Sequence, residues 1–129
     1  MTYFTAQRKQ MAEYISLFVP NTAVKEAFMQ VRRENFIPLE YIQHAYEDSA
    51  LPNQKGQTVS QPSTIATMLH LLEIGKGMSV LEVGSGSGYV TALLSKMVGK
   101  NGKAYGIEFY PELAEKAKKN LEKEGTMNF

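Results

Sequence analysis

The chain has 129 residues, no cysteine and a formal net charge of +1, which bounds it as one domain and removes disulfides, thiolate nucleophiles and thiolate-rich metal sites together. The balanced charge gives no electrostatic footprint for nucleic acid or for anionic lipid. The start, Met1 to Gln10, is polar without an apolar signal core, and no apolar run approaches membrane-spanning length, so a soluble cytoplasmic protein is the expectation. His44 and His70 are far apart with no motif around them. Neither is expected to bind metal, which needs several converging ligands.

In chain order, the first predicted element is a helix from about Thr5 to Val19, ended by Pro20. Asn21 is placed to N-cap a second helix whose Val24, Phe28 and Val31 recur at helical spacing. Phe36-Ile37-Pro38 reads as a break followed by a short helical turn at most. From Tyr46 to Gln61 no period survives, and Pro52, Asn53 and Gly56 punctuate an irregular stretch. Long irregular loops inside a domain are uncommon and often functional. Pro62 suits the first turn of a third helix, with Ile65, Met68, Leu69 and Leu72 expected on its buried face before Gly75-Lys76-Gly77. The character then changes. A β-prone run, Ser79 to Val83, leads into Gly84-Ser85-Gly86-Ser87-Gly88, a helix from about Tyr89 to Val98, a turn at Gly99 to Gly102, and a second strand from Lys103 to Phe109. Pro111 opens a last helix with Leu113, Ala117 and Leu121 on one face. Strand, loop, helix and strand make a βαβ unit with a parallel pair, hence an α/β, Rossmann-like architecture.

The glycine loop joins the carboxyl end of a strand to a helix N-terminus, where open α/β sheets bind ligands. A dinucleotide fingerprint needs glycine three positions after Gly86, and Tyr89 stands there. A phosphate-binding loop needs a Gly-Lys-Ser/Thr ending, which is absent. The remaining signal is an acid, Glu82, two residues before Gly84, and a second acid, Glu108, twenty residues after Gly88 at the end of the next strand. A carboxylate there can accept both hydroxyls of a ribose. Close approach plus an acid, without a pyrophosphate seat, suits a nucleoside carrying a charged amino acid. S-adenosyl-L-methionine matches that description. The bland alternative is a tight turn and a solvated strand end. Lys116-Ala117-Lys118-Lys119 reads as the solvated face of an amphipathic helix.

Glu82-Val83-Gly84-Ser85-Gly86-Ser87-Gly88-Tyr89 resembles motif I of the class I methyltransferases. Ala45-Tyr46-Glu47-Asp48 and Gly56-Gln57-Thr58-Val59-Ser60-Gln61-Pro62 resemble the protein-L-isoaspartate O-methyltransferases in particular, as do Ala27-Phe28 and Phe36-Ile37-Pro38. The resemblance runs from about Val24 to Gly125. It implies methyl transfer from S-adenosyl-L-methionine to the α-carboxyl of L-isoaspartyl residues in damaged proteins, a repair reaction that leaves S-adenosyl-L-homocysteine. On this reading Thr58, Val59 and Ser60 line the substrate site, with Ser60 the catalytic position. Glu82, Gly84, Ser85, Gly86, Gly88 and Glu108 hold the cofactor, and no metal is used. From its position before Pro62, Ser60 also reads as a helix N-cap. Residues 1–61 would form a helical and substrate-loop segment, and residues 62–129 an incomplete cofactor-binding half.

The sequence departs from the family's pattern twice. Arg32 stands where the family commonly has proline before the Arg33-Glu34 pair. A complete member continues after Gly125 with further strands and an acidic loop that contacts adenine, so a sheet truncated after its second parallel strand is expected. Both edges of that sheet would be unpaired, and self-association or a complementing C-terminal fragment is expected to cover them. Two other readings compete with the repair enzyme: a catalytically silent cofactor-binding or assembly module that needs another chain, and a class I methyltransferase with a different substrate such as RNA.

Overall fold

The structure is a computed structural model and describes residues 3–129, so Met1 and Thr2 of the polar start lie outside the described residues. Its elements run α1 (Thr5–Ser16), α2 (Thr22–Gln30), two 3-10 turns (Arg33–Phe36 and Leu39–His44), β1 (Leu51–Pro52), a third turn (Gln54–Gly56), β2 (Thr58–Val59), α3 (Pro62–Leu71), β3 (Ser79–Val83), α4 (Tyr89–Val98), β4 (Lys103–Ile107) and α5 (Pro111–Glu124). β3 and β4 pair in parallel, Ser79 opposite Lys103 through Val83 opposite Ile107. The architecture is α/β.

Local chemistry explains most boundaries. The Asn21 side chain accepts from the Val24 amide, so α2 starts at its expected cap. Pro62 and Pro111 occupy the first turns of α3 and α5, where a missing N–H costs nothing. α1 stops at Ser16, three residues before the expected Val19, because the residue preceding Pro20 is driven out of helical conformation. β4 ends at Ile107 rather than Phe109. The Ile107 carbonyl accepts from both Gly84 and Ser85 amides, so the chain of β3 has already turned away and offers no further ladder.

The loop from Tyr46 to Gln61 is more ordered than its sequence suggests. Leu51 pairs with Val59 and Pro52 with Thr58 in a two-residue antiparallel ladder. α3 also differs from expectation: Ile65 and Leu69 are buried, but Met68 is 61% and Leu72 63% exposed. These two side chains border the cleft described below instead of the core.

One hydrophobic core joins the N-terminal helices to the glycine-loop unit, with Ile15, Val24, Phe28, Tyr89, Leu93 and Met97 all buried in it. Phe28 and Phe36 pack on the Tyr89 ring at centroid distances of 6.2 and 5.6 Å. α4 covers one sheet face, where Ala104 is buried and Val80 and Glu82 are half-buried. On the other face Leu81 and Val83 are 59% and 76% exposed, beside exposed Tyr105 and Ile107. Val80, Leu81 and Val83 therefore do not form a strand buried on both sides.

The outer edge of β4 carries one backbone hydrogen bond to the C-terminal residues. The Ala104 amide donates to the Asn128 carbonyl at 3.0 Å, and the Asn128 side-chain amide donates to the Ser95 and Gly99 carbonyls. Apart from that backbone bond the sheet is the two-stranded one expected, with no further strand on either edge among the described residues. Among the described residues, β3 has a strand partner on one side only, and no helix is long and apolar enough to cross a membrane.

Candidate functional site

The site grows from the turn between β3 and α4. Gly84 and Gly86 have φ of +82° and +54°, a region where side chains are strained, and a Cβ added at either would meet open space. Their surface therefore faces a cleft. The Glu108 carboxylate folds back onto this loop. Its Oε1 accepts from the Gly86 amide at 2.8 Å and its Oε2 from the Tyr110 amide at 3.0 Å. Each carboxylate oxygen has about two acceptor positions, so one per oxygen remains for a ligand hydroxyl.

Two clefts meet at Val83 and Gly84. One, of about 500 Å³, is bounded by Thr58, Gly84, Gly86, Glu108, Phe109 and Tyr110. The other, of about 360 Å³, is bounded by Ser60, Thr64, Met68, Leu72, Glu82 and Gly84. A larger cleft of about 550 Å³ beside α1 and Tyr46 has no glycine-loop residue in its walls. The alternation of an extended chain sets Thr58 and Ser60 on the face opposite Val59, and the two clefts divide that face between them, Thr58 in β2 bordering one and Ser60 just after β2 bordering the other. Thr58 faces the first, Ser60 faces the second, and Val59 between them is 5% exposed in the core. Val59 thus supports the pair from below and does not line either cleft.

Three other expected site residues have different surroundings. Gly88 lets α4 and α5 approach: a Cβ there would lie 3.2 Å from the Ala117 carbonyl and 3.3 Å from Leu121. Ser85 is held by the hydrogen bond its amide donates to the Ile107 carbonyl at 2.9 Å and sits where Gly106 leaves room for it, a Cβ at Gly106 falling 2.8 Å from the Ser85 Cβ. Ser60 caps no helix in this structure. The N-cap of α3 is Gln61, and the Ser63 amide is taken by Asp48 Oδ1 at 2.9 Å.

Sequence reasoning did not reach Arg33. Its side chain is 0% exposed, its Nε donates to the Ala45 carbonyl at 2.6 Å and its Nη2 to the Ser60 carbonyl at 3.3 Å. The guanidinium lies 4.9 Å from the centre of the Tyr89 ring, a cation–π contact. Burial lowers its pKa from the usual arginine value, against the opposing pull of Tyr89. One cation therefore connects both ends of the 46–60 loop to the first residue of α4. A buried arginine has no periodic signature, which is why the sequence hid it. Arg8 and Glu34 form an ion pair at 3.1 Å, and both bond the Tyr46 hydroxyl, which joins α1 to the same loop.

Glu82 sits beneath the glycine loop, accepting from the Thr91 hydroxyl at 2.7 Å. Burial pushes its pKa up to about 7; the Thr91 bond opposes this and the Glu108 charge adds to it. A raised carboxyl pKa means that the folded state holds a proton that the unfolded chain releases near the ordinary glutamate value of 4.5. Stability should therefore fall as pH rises from 4.5 to 7, by about 3 kcal/mol at 1.36 kcal/mol per unit. Glu82→Gln is expected to remove that component. Urea titrations of parent and variant between pH 4 and pH 8 measure it, and parallel stability curves would reject the assignment.

His70 shares a hydrogen bond with the Asn21 side chain at 3.1 Å, and His44 pairs with Glu47.

The family model of the protein-L-isoaspartate(D-aspartate) O-methyltransferases matches residues 8–129. The chain belongs to that family. It is 47% identical over 120 residues to the Aeropyrum pernix protein-L-isoaspartate O-methyltransferase, an alignment covering 92% of this chain and 46% of that protein. The Methanothrix thermoacetophila enzyme is 43% identical, with 91% and 55% covered. The chain thus spans about half the length of these relatives. A solved protein-L-isoaspartate O-methyltransferase superposes with a TM-score of 0.83 at 32% identity, covering 94% of this chain and 40% of that one. A Plasmodium falciparum beta-aspartate methyltransferase in complex with S-adenosyl-L-homocysteine superposes with a TM-score of 0.80 at 25% identity, covering 91% and 56%. The fold is therefore that of the family's Rossmann-like methyltransferases, and the match reaches further toward the N-terminus than the Val24 at which the sequence resemblance starts.

Proposed function

We propose that this chain binds S-adenosyl-L-methionine on its glycine loop and serves methyl transfer to the α-carboxyl of L-isoaspartyl residues in damaged proteins and peptides. The observation that carries the reading is the Glu108 carboxylate, held against the Gly86 amide with one acceptor position left on each oxygen. Glu108 accepts the two ribose hydroxyls, and the Gly84 and Gly86 backbone gives the close approach. Glu82, Ser85 and Gly88 shape that loop from below and behind. Residues 62–129 supply this cofactor half and residues 1–61 the substrate half. A cytoplasmic location belongs to the same proposal.

When bound, the cofactor supplies a methyl group on a sulfonium, with neutral S-adenosyl-L-homocysteine as the leaving group. The isoaspartyl carboxyl group, with an ordinary pKa of about 4, is already ionised at neutral pH, so this chain need not provide a general base. Its contribution is alignment, which can lower a barrier by several kcal/mol. Thr58 and Ser60 stand on either side of Gly84, one in each cleft, and Arg33 fixes the Ser60 carbonyl. Ser60→Ala is expected to reduce the rate of methyl transfer to an isoaspartyl peptide at least tenfold, the scale of a buried hydrogen bond to a charged group, with cofactor affinity and melting temperature unchanged. An unchanged rate would reject the catalytic role. Absence of transfer to the isoaspartyl peptide by the parent would favour the silent module, and transfer to RNA the third reading.

Self-association is part of the proposal. β3 exposes one ladder edge, next to the apolar face formed by Leu81, Val83, Tyr105 and Ile107. Such an edge is a template for a further strand, either β3 of a second copy in a two-fold dimer or a complementing C-terminal fragment. Light scattering coupled to size exclusion should show a dimer that dissociates on dilution. A monodisperse monomer at every concentration would contradict it.

A further inference from the structure

A groove of about 430 Å³ runs between α5 and the corner at residues 36–39. It shares no residue with the two clefts at Gly84. Lys116, Lys119 and Lys123 form one wall. Their spacing puts all three on one helix face, over about 10 Å at ~1.5 Å per residue. All three are exposed, and none is in an ion pair among the described residues. α5's own ion pairs use Glu112, with Lys55, and Glu124, with Arg32.

The opposite wall carries Pro38 and Leu39, the latter 87% exposed. Asn53 also borders the groove, and its side-chain Nδ2 is buried without a hydrogen-bond partner. A buried donor left unpaired is costly, and here the unmet donor stands beside a surface of unpaired cations. The single carboxylate in the walls, Glu34, is already occupied by Arg8 and Tyr46.

We infer that this groove, with Lys116, Lys119 and Lys123 facing Leu39 and Asn53, is a docking site for an extended acidic polypeptide segment, beyond the cofactor and isoaspartyl clefts. In an extended chain alternate side chains point the same way, about 7 Å apart. Two carboxylates at that spacing fall within the stretch the three lysines cover, while the intervening apolar side chains meet Pro38 and Leu39. Nucleic acid suits the groove less well. Its only aromatic wall residue, Phe36, is 2% exposed, so no ring is offered for base stacking, and three lysines on a chain of net charge +1 make few phosphate contacts.

The test is fluorescence anisotropy of the 129-residue chain with a labelled octapeptide alternating glutamate and leucine. Its glutamine counterpart and a twelve-nucleotide thymidine oligomer serve as comparisons. The glutamate peptide is expected to bind and to weaken as salt rises. The triple variant K116Q/K119Q/K123Q should bind it about tenfold more weakly, the scale of three exposed charge pairs, with an unchanged melting temperature. Equal affinity for the glutamine peptide, equal affinity of the triple variant, tighter binding of the oligonucleotide, or no binding at low salt would each overturn the inference.

Discussion

Replacing Glu108 with alanine should weaken S-adenosyl-L-methionine binding by about 100-fold. Two charge-assisted hydrogen bonds to the ribose are lost, each contributing roughly 1.5–3 kcal/mol at most, and ~1.4 kcal/mol is a factor of ten. Part of the effect is indirect, because the Gly86 and Tyr110 amides lose their acceptor and the loop is no longer held in its binding shape. Glu108→Gln separates the two contributions. It keeps one acceptor oxygen and should fall between parent and alanine variant. Titration calorimetry gives the affinities, and urea denaturation shows whether the fold is intact. Equal affinity in Glu108→Ala and parent would remove Glu108 from the site.

The largest stability effect is expected at Tyr89. This ring is buried at 1% exposure, contacts Phe28 and Phe36, and lies under the Arg33 guanidinium. It belongs to the glycine-loop unit and packs directly against two aromatic rings of the N-terminal segment. Tyr89→Ala should cost about 3–5 kcal/mol, a large part of the roughly 5–15 kcal/mol that holds a domain together. The variant also strips Arg33 of its cation–π partner. Tyr89→Phe keeps the ring and should cost only about 1 kcal/mol for the hydroxyl. Burial pushes that hydroxyl's pKa up to about 12 against the Arg33 charge, so it stays protonated at neutral pH. Denaturant unfolding of the three proteins measures the series. A small loss in Tyr89→Ala would mean that the two segments are held together elsewhere.

Tyr89 also shows what a sequence can and cannot convey. In the linear chain it opens a helix, ends the motif I stretch and stands where a dinucleotide loop would need glycine, and none of these marks it as a core residue. Folded, it is the anchor of the core. The strand–loop–helix–strand unit was legible because glycines, prolines and periodic apolar residues act locally: β3, α4 and the Leu113, Ala117 and Leu121 face of α5 lie where expected. The Leu51–Val59 ladder was not legible, since strands of two residues carry no period. Met68 and Leu72 share helical spacing with Ile65 and Leu69, but spacing identifies a face without saying which part of it is covered. Arg33 and Asn128 were invisible for a related reason. Their roles depend on carbonyls distant in sequence, Ser60 for one and Ser95 and Gly99 for the other. In the site itself, the motif residues were readable one by one. The split of Thr58 and Ser60 between two clefts, with Val59 beneath them, required the pairing of β2 with β1.

The central claim is that the glycine loop and Glu108 together form the S-adenosyl-L-methionine site. Amide chemical-shift mapping of the isotope-labelled chain, titrated with S-adenosyl-L-methionine and with S-adenosyl-L-homocysteine, tests it most directly. The expected result is a saturable set of shifts centred on the amides of Gly84, Ser85, Gly86, Glu108 and Tyr110, with smaller changes at Thr58 and Ser60 and none along Lys116 to Lys123. Shifts centred elsewhere, or none at saturating cofactor with the fold intact, would contradict the account.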